Sequence, residues 1–366
     1  MQKAQFEKIH SSEGFFTTLD QSGSTPKSVG GERLQESSAK PLTNMATDVA
    51  MNSGRRGSHT VAGCGLWPGT HPAAANRRSA GSGLRHTEGT ILMAGRLDGK
   101  VAFITGAARG QGRSHAVRLA RDGADVIAVD ICRQIDSVAY PLSTPADLAR
   151  TVAEVEALGR RIVTAEADVR DAAALRAAVA SGVGRLGSVD IVVANAGIGM
   201  MSPGASQEQA FRDQVEVNLF GVWNTVQAAA PVMIEQGRGG AIVLTGSTLG
   251  LVGRGGNGSG GSDGYCASKH AIVGLGRTWA HWLAPHNIRV NSVHPAGANT
   301  PMVINEAVAK LFASAPASSG ADVGNLLDVQ LIEAVDVSNA IAWLVSDEAR
   351  YVTAVALPVD AGFTAK

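Results

Sequence analysis

The sequence predicts a doubly wound α/β domain with a seven-stranded parallel sheet. From residue 100 onward, apolar runs of strand length alternate with helical stretches, and a glycine-rich turn follows the first run. This alternation is typical of parallel strands joined by crossover helices. The runs place Val, Ile and Ala at successive positions, which indicates strands that are covered on both faces.

Seven apolar runs are the predicted strands. In chain order they are residues 101–105, 125–130, 161–167, 190–194, 241–245, 289–294 and 354–359. Two insertions interrupt the alternation, residues 132–146 after the second strand and residues 295–331 after the sixth. Because ligands bind at the carboxyl ends of the strands in open α/β sheets, both insertions are expected to border the functional site.

Residues 1–92 differ in composition from the rest of the chain. They are rich in Ser, Gly, Thr, Asn and Arg and show no sustained helical or strand period. We predict a disordered or non-native extension here, followed by one folded domain over residues 93–366. An interaction arm or a targeting peptide is the alternative, since acidic residues become fewer toward the end of the segment.

The bulk composition favours a small-molecule partner. The chain has 366 residues, 45% of them hydrophobic, and a formal net charge of zero, which gives no electrostatic basis for binding nucleic acid or an anionic membrane. It shows neither a membrane span nor a secretory signal, so a cytoplasmic protein is expected. Cys64, Cys132 and Cys266 are widely spaced and fit neither a disulfide framework nor a metal site, and we expect reduced thiols and no metal.

The glycine-rich turn at residues 105–112 predicts a Rossmann-type dinucleotide site. Gly106 permits a tight turn, Gly110 lets the backbone approach a pyrophosphate, and Gly112 allows close packing of a helix that starts near Arg113. The helix amino terminus adds unpaired N–H groups and a partial positive charge. The other candidate cofactor contacts in this turn are Arg109 and Gln111.

Asp130 ends the second predicted strand, about twenty residues beyond the turn. A carboxylate there would accept hydrogen bonds from both hydroxyls of the adenosine ribose and repel a 2′-phosphate, which favours NAD over NADP. Ile131 is the neighbouring candidate contact. Arg109 leaves NADP open, because a guanidinium in the turn can pair with that phosphate.

Tyr265 and Lys269 are spaced to share one face of a helix. An ammonium beside a phenol favours the phenolate and should lower the pKa of Tyr265 toward neutrality. The pair is therefore a candidate proton-transfer device, although surface helices also produce this spacing by chance.

With these motifs in order, residues 97–362 resemble the short-chain dehydrogenase/reductase family. The matching parts are the turn at residues 105–112, the adenine contact Asp168-Val169, the fourth-strand motif Asn195-Ala196-Gly197, the catalytic group Asn218, Ser247, Tyr265 and Lys269, and Pro295 and Thr300 after the sixth strand. The sequence departs from the family pattern in two places. Residues 249–264 form an enlarged loop that is expected to bulge outward, and Pro295-Ala296-Gly297 replaces a Pro-Gly pair.

The resemblance implies a role for each member of the catalytic group. Tyr265 is the general acid/base, Lys269 lowers the pKa of Tyr265 and holds the nicotinamide ribose, Ser247 bonds the substrate oxygen, and Asn218 holds a water that links Lys269 to solvent. The expected activity is NAD-dependent oxidation of an apolar secondary or cyclic alcohol. The alternatives are an NADPH-dependent carbonyl reductase and a non-catalytic nucleotide-binding scaffold.

The insertion after the second strand points to one subgroup of the family. Residues 130–142 resemble the mycofactocin-coupled, carveol dehydrogenase-like subgroup, in which a peptide-derived cofactor reoxidises NAD that stays bound. The insertion should fold over the adenosine end of NAD. Separately, the likeness to the family implies a homotetramer. The apolar residues expected in the substrate pocket are Met200, Met201, Met302, Val303 and Leu311.

Overall fold

The computed structural model describes residues 95–199, 204–253, 258–309 and 324–366, with the backbone of a short hairpin before them. In that hairpin, strands Arg85–Thr87 and Thr90–Leu92 pair antiparallel, which the sequence analysis did not expect. The predicted disorder of residues 1–92 otherwise lies outside the described residues, as do Met200, Met201 and Leu311.

Seven parallel strands form the central sheet, as the apolar runs predict. They are β1 Val101–Thr105, β2 Asp125–Asp130, β3 Ile162–Glu166, β4 Ile191–Ala194, β5 Gly240–Thr245, β6 Ile288–Pro295 and β7 Ala356–Val359. Their order across the sheet is β3-β2-β1-β4-β5-β6-β7, and every neighbouring pair is parallel. The strand order reverses at β1 and β4, which is where such sheets open a ligand crevice.

Helices cover both faces of this sheet. They are α1 Gly110–Arg121, α2 Pro145–Glu156, α3 Ala172–Leu186, α4 Gln207–Val215, α5 Gly221–Gln236, α6 Gly260–Leu283 and α7 Ala334–Val345, with a π-helix Glu216–Phe220 between α4 and α5. Apolar side chains of α1, α2 and α7 pack on one face, and those of α3, α5 and α6 pack on the other. Successive strand residues therefore point into two separate cores, Phe103 into one and Ile104 into the other.

The described parts of the expected enlarged loop, residues 249–253 and 258–264, include a 3₁₀ turn and the first turn of a helix, and residues 254–257 lie outside the described residues. Thr248–Gly250 is a single 3₁₀ turn, and α6 begins at Gly260, where the Ser259 hydroxyl accepts a hydrogen bond from the Ser262 amide. A Cβ on Gly260 would lie 1.8 Å from the Gln207 carbonyl oxygen. This glycine lets α6 pack closely against α4, a helix contact that its place in a predicted loop did not indicate.

Candidate active site

One cleft at the carboxyl ends of the strands gathers most of the predicted site residues. Its empty volume is about 1050 Å³, counting the open mouth. The predicted residues that line it are Gly106, Arg109, Gly110, Gln111, Gly112, Asp130, Ile131, Asp168, Val169, Asn195, Ala196, Gly197, Tyr265, Lys269 and Thr300. Three predicted residues are not part of the lining, namely Asn218, Ser247 and Pro295. Ser247 and Asn218 lie directly behind it, and Pro295 ends β6.

The glycine-rich turn has the close packing that a dinucleotide cradle needs. Gly106 has a φ of +69°, and a Cβ there would lie 2.8 Å from the Ala196 Cα. A Cβ on Gly112 would lie 1.9 Å from the Gly106 carbonyl oxygen. Helix α1 begins at Gly110 rather than near Arg113, and no side chain caps its amino terminus. The first N–H groups of α1 can therefore bind an anion.

Asn195 joins the end of β4 to this turn. Its Nδ2 donates to the carbonyl oxygens of Thr105 at 3.1 Å and Gly106 at 3.4 Å. The amides of Asn195 and Ala196 both donate to Thr105 Oγ1. These bonds hold the two strand ends that border the crevice in one fixed arrangement.

The Asp130 carboxylate is buried and already holds three donors. Oδ2 accepts from the Ala108 amide at 2.8 Å, and Oδ1 accepts from the Cys132 amide at 3.3 Å and from the Ser143 hydroxyl. A carboxylate has about four acceptor positions. Three of these positions are occupied here, and the binding of both ribose hydroxyls by Asp130 stays a prediction.

Asp168 is the second carboxylate that lines the cleft, after Asp130, and two arginines hold its side chain. It forms a two-point contact with Arg170, 2.7 Å at the closest pair, and a 3.4 Å ion pair with Arg133. Burial acts in the opposite direction, but these hydrogen bonds hold the pKa of Asp168 below its usual value. Asp168 therefore stays ionised at the edge of the cleft.

The insertion at residues 132–146 contacts the cleft at two places, through Ser143 beside Asp130 and through Tyr140 beside Gly199, and its position over the adenosine end stays a prediction. Gln134 organises it: Nε2 donates to the carbonyl oxygens of Ile135, Val138 and Tyr140, and Oε1 accepts from the Leu142 amide. The Tyr140 hydroxyl accepts from the Gly199 amide at 2.7 Å, close to the predicted substrate side. Sequence reasoning missed the insertion residues that line the cleft, which are Ile135, Tyr140, Leu142 and Ser143.

The predicted proton-transfer group is assembled on α6 and the end of β5. The Ser247 hydroxyl acts on the Tyr265 phenol and lowers its pKa, and Lys269 Nζ lies 5.7 Å from the centroid of the Tyr265 ring. Lys269 Nζ also donates to the Thr245 carbonyl oxygen at 2.9 Å. The sequence analysis did not predict Thr245, whose buried hydroxyl lines the cleft with no hydrogen-bond partner.

Burial dominates the electrostatics of this group. It lowers the pKa of Lys269 to about 8. It also raises the pKa of Tyr265, against the opposing effect of the Ser247 hydrogen bond. The expectation that the pKa of Tyr265 is lowered toward neutrality is therefore wrong for this arrangement, because the helical spacing revealed proximity to Lys269 and not the loss of water from both groups.

Asn218 is a buried brace within the π-helix. Its Oδ1 accepts from the Ile198 amide at 2.8 Å, and its Nδ2 donates to the Ile198 carbonyl at 3.0 Å and to Gln214 Oε1 at 2.8 Å. A Cβ on Gly197 would lie 2.9 Å from Asn218 Oδ1 and 3.7 Å from Lys269 Nζ, so both side chains lie beside Gly197. Its role in holding a water stays a prediction.

Met302, Thr300 and two cysteines are the remaining predicted residues that the structure describes near the site. Met302 lines the cleft, and Thr300 lies beside Gly110. Cys132 and Cys266 are free thiols, while Cys64 lies outside the described residues. Over the described ranges, no group of three or more His, Cys, Asp or Glu side chains could hold a metal ion. In the same ranges, no helix is both long and apolar enough to cross a bilayer.

Comparison with known proteins agrees with this geometry. A family model described as short chain dehydrogenase matches residues 100–310. The chain belongs to the short-chain dehydrogenase family. An uncharacterised oxidoreductase of Mycobacterium tuberculosis is 57% identical over 270 residues, which are 74% of this chain and 98% of the relative. The family resemblance inferred from the motifs is confirmed.

Two further relatives support the carveol dehydrogenase-like likeness. The (-)-trans-carveol dehydrogenase of Rhodococcus erythropolis is 46% identical over 281 residues, covering 74% of this chain and 99% of that protein. The crystal structure of carveol dehydrogenase from Mycobacterium avium in complex with NAD shares 49% identity, with a TM-score of 0.68, over 74% of this chain and all of that one. About a quarter of this chain lies outside each match.

Proposed function

We propose that this oxidoreductase transfers hydride from an apolar secondary or cyclic alcohol to NAD, with Tyr265 as general base. The observation that carries the proposal is that Ser247, the half-buried Tyr265 and the buried Lys269 come together at one end of the cleft that the glycine-rich turn and Asp130 border. Burying the Lys269 ammonium costs free energy, and a site that only binds nucleotide does not need a buried ammonium beside a phenol.

The cradle fits NAD. Gly106 and Gly112 leave no room for a Cβ, the amino terminus of α1 is uncapped, and the buried Asp130 disfavours a 2′-phosphate. Bound NAD supplies the hydride acceptor. Arg109 also lines the cleft, which keeps an NADPH-dependent carbonyl reductase as the second candidate.

Ser247, Tyr265 and Lys269 have separate roles in the proton transfer. Ser247 holds the alcohol oxygen beside Tyr265, and the hydroxyl proton of the alcohol passes to the phenolate oxygen as the C–H bond breaks. Because burial raises the pKa of Tyr265, alcohol oxidation should increase as the pH rises and the phenolate becomes more populated. Lys269 is fixed by the Thr245 carbonyl and lies over the phenol ring, where its charge favours the phenolate.

An apolar substrate fits the described part of the pocket. Ile135, Leu142, Ile198 and Met302 line the same cleft as Tyr265. A Cβ on Gly199 would lie 3.3 Å from Met302 Cγ, so the segment after β4 and the segment after β6 come together here. The likeness to the carveol dehydrogenases supports a cyclic alcohol.

We further propose that NAD stays bound between turnovers and is reoxidised by a peptide-derived cofactor of the mycofactocin type. The insertion supports retention because it is fixed at both ends of the cleft, by Ser143 to Asp130 and by Tyr140 to Gly199. An ordered insertion over the cleft slows the dissociation of NAD without changing the hydride-transfer step.

The proposed assembly is a homotetramer. Its support is a set of exposed aromatic side chains, Phe211 on α4, Phe220 in the π-helix and Trp223 on α5, whose exposed fractions are 40%, 55% and 43%. Exposed aromatic groups of this kind are typical of subunit interfaces. Light scattering of the purified protein measures the assembly directly, and a monomer would contradict the proposal.

A panel of secondary alcohols tests the activity. Gel-filtered protein should carry NAD, oxidise cyclic terpene alcohols in the presence of an artificial electron acceptor, and be scarcely stimulated by free NAD alone. Steady turnover with freely exchanging NAD would contradict retention and leave the dehydrogenase proposal standing. Reduction of ketones with NADPH, and no oxidation of any alcohol with NAD, would support the reductase instead.

A further inference from the structure

His294 lies behind the catalytic serine, near the end of β6. Its side chain is fully buried and is not part of the cleft lining. Nδ1 lies 2.9 Å from the Ser247 carbonyl oxygen and 3.4 Å from the Ser247 amide nitrogen, and Nε2 lies 2.8 Å from Ser292 Oγ. Because β5 and β6 are adjacent parallel strands, the imidazole joins their carboxyl ends.

The residue before the serine leaves space for this ring. A Cβ on Gly246 would lie 2.4 Å from His294 Cε1 and 2.5 Å from Nδ1. Gly246 is not among the glycines with positive φ, so its backbone conformation does not require glycine. The sequence therefore has glycine at position 246 to accommodate His294.

The hydrogen bonds of His294 define its form. Burial lowers its pKa, the charges of Lys269 and His270 act in the same direction, and the bond to Ser247 acts against them. The ring is thus neutral and carries one N–H. The 2.9 Å distance assigns that proton to Nδ1, which donates to the Ser247 carbonyl, while Nε2 accepts from the Ser292 hydroxyl.

Ser247 needs this support because its side chain has two partners. Its extended backbone starts the turn Thr248–Gly250, and its Oγ accepts from the Leu249 amide at 3.2 Å and also acts on the Tyr265 phenol, whose pKa it lowers. We propose that His294 is a positioning residue that fixes the Ser247 main chain so that Oγ reaches Tyr265. This inference goes beyond the proposed function, since it holds for any substrate of the same catalytic group.

The test replaces His294 by Phe and by Asn. Phe fills the space without a hydrogen bond, and Asn restores a donor for the Ser247 carbonyl. His294→Phe should lower kcat about 10- to 100-fold with little change in KM or NAD affinity, as expected for a small misplacement of a reacting group. It should also raise the pKa of Tyr265, because the Ser247 hydrogen bond lowers that pKa. His294→Asn should recover part of both effects.

Phenolate absorbance gives a readout that is independent of turnover. The chain has three tyrosines, so the titration of Tyr265 is obtained by difference from Tyr265→Phe. The other titratable groups that act on this phenol, Lys269, Cys266 and Tyr140, are present in every His294 variant. A shift seen only on loss of the imidazole therefore belongs to His294.

A matched control separates this role from general packing. His115 forms a second buried imidazole–serine contact, with Nδ1 2.8 Å from Ser338 Oγ, between α1 and α7. Ser292→Ala should raise the pKa of Tyr265, whereas Ser338→Ala should leave that pKa unchanged. If His294→Phe fails to fold, the kcat values and Tyr265 pKa values of His294→Asn and Ser292→Ala test the proposal instead. Wild-type kcat and an unshifted Tyr265 pKa in the folded variants, or equal shifts in Ser292→Ala and Ser338→Ala, would overturn the proposal.

Discussion

Replacing Lys269 by Met should stabilise the protein near neutral pH while removing its activity. Burial lowers the pKa of Lys269 from its ordinary value of 10.5 to about 8. Each pKa unit corresponds to about 1.4 kcal/mol, so holding this ammonium in the fold costs about 3 kcal/mol. The variant also leaves the Thr245 carbonyl without its donor, a loss of about 1–2 kcal/mol. The net gain in unfolding free energy is about 1–2 kcal/mol.

The gain should depend on pH. Below about pH 8 the lysine is protonated in both the folded and the unfolded state, and the whole penalty acts. Between about pH 8 and 10.5 the folded state loses its proton first, so the wild-type protein gains stability and the penalty disappears. The advantage of Lys269→Met is therefore largest near pH 7 and shrinks at alkaline pH.

Thermal unfolding with NAD removed from every sample measures this effect. The melting temperature of Lys269→Met should exceed that of wild type by a few degrees at about pH 7 and by less at about pH 9.5. Lys100→Met, at a lysine that is not buried, is the control and should show no such pH-dependent gain. A variant that is less stable than wild type at pH 7, or an advantage that does not change with pH, would refute the reasoning.

Three further substitutions test the site. Tyr265→Phe should reduce turnover by a factor on the order of 100 to 10,000 and leave NAD affinity nearly intact, and retention of more than about a tenth of the rate would overturn its role. Gly106→Ala should cost more stability and NAD affinity than Gly99→Ala, because both sites have positive φ but a Cβ at 99 meets nothing within 4 Å; equal effects would contradict the close packing on Ala196. Asp130→Asn should weaken NAD and admit NADP in a fluorescence titration, and a wild type that already prefers NADP would refute this.

Local patterns were enough to predict the sheet and the cradle. Most strands are mainly apolar in sequence, and the structure shifts the predicted strand ends by at most two residues. The turn at residues 105–112 was predictable because its glycines are required by backbone geometry and by contacts with the next strand end. Tyr265 and Lys269 were predictable because helical spacing alone places them on one face.

The remaining features depend on contacts between distant segments. Gly260 appeared to belong to a loop, since nothing nearby in the sequence shows that Gln207 packs against it. The bonds of Tyr140 to Gly199 and of His294 to Ser247 join segments that are 59 and 47 residues apart. The raised pKa of Tyr265 follows from burial, which is a property of the whole fold and not of the four-residue spacing.

Isotope transfer in a single turnover tests the central claim most directly. The protein loaded with NAD is mixed with a cyclic secondary alcohol that carries deuterium on its carbinol carbon, and the products are analysed by mass spectrometry. We predict one deuterium in the NADH for each ketone formed, and product formation that is slower by a factor of at least about 100 with Tyr265→Phe. Ketone without deuterium in the NADH, or full product formation by Tyr265→Phe, would contradict hydride transfer assisted by Tyr265.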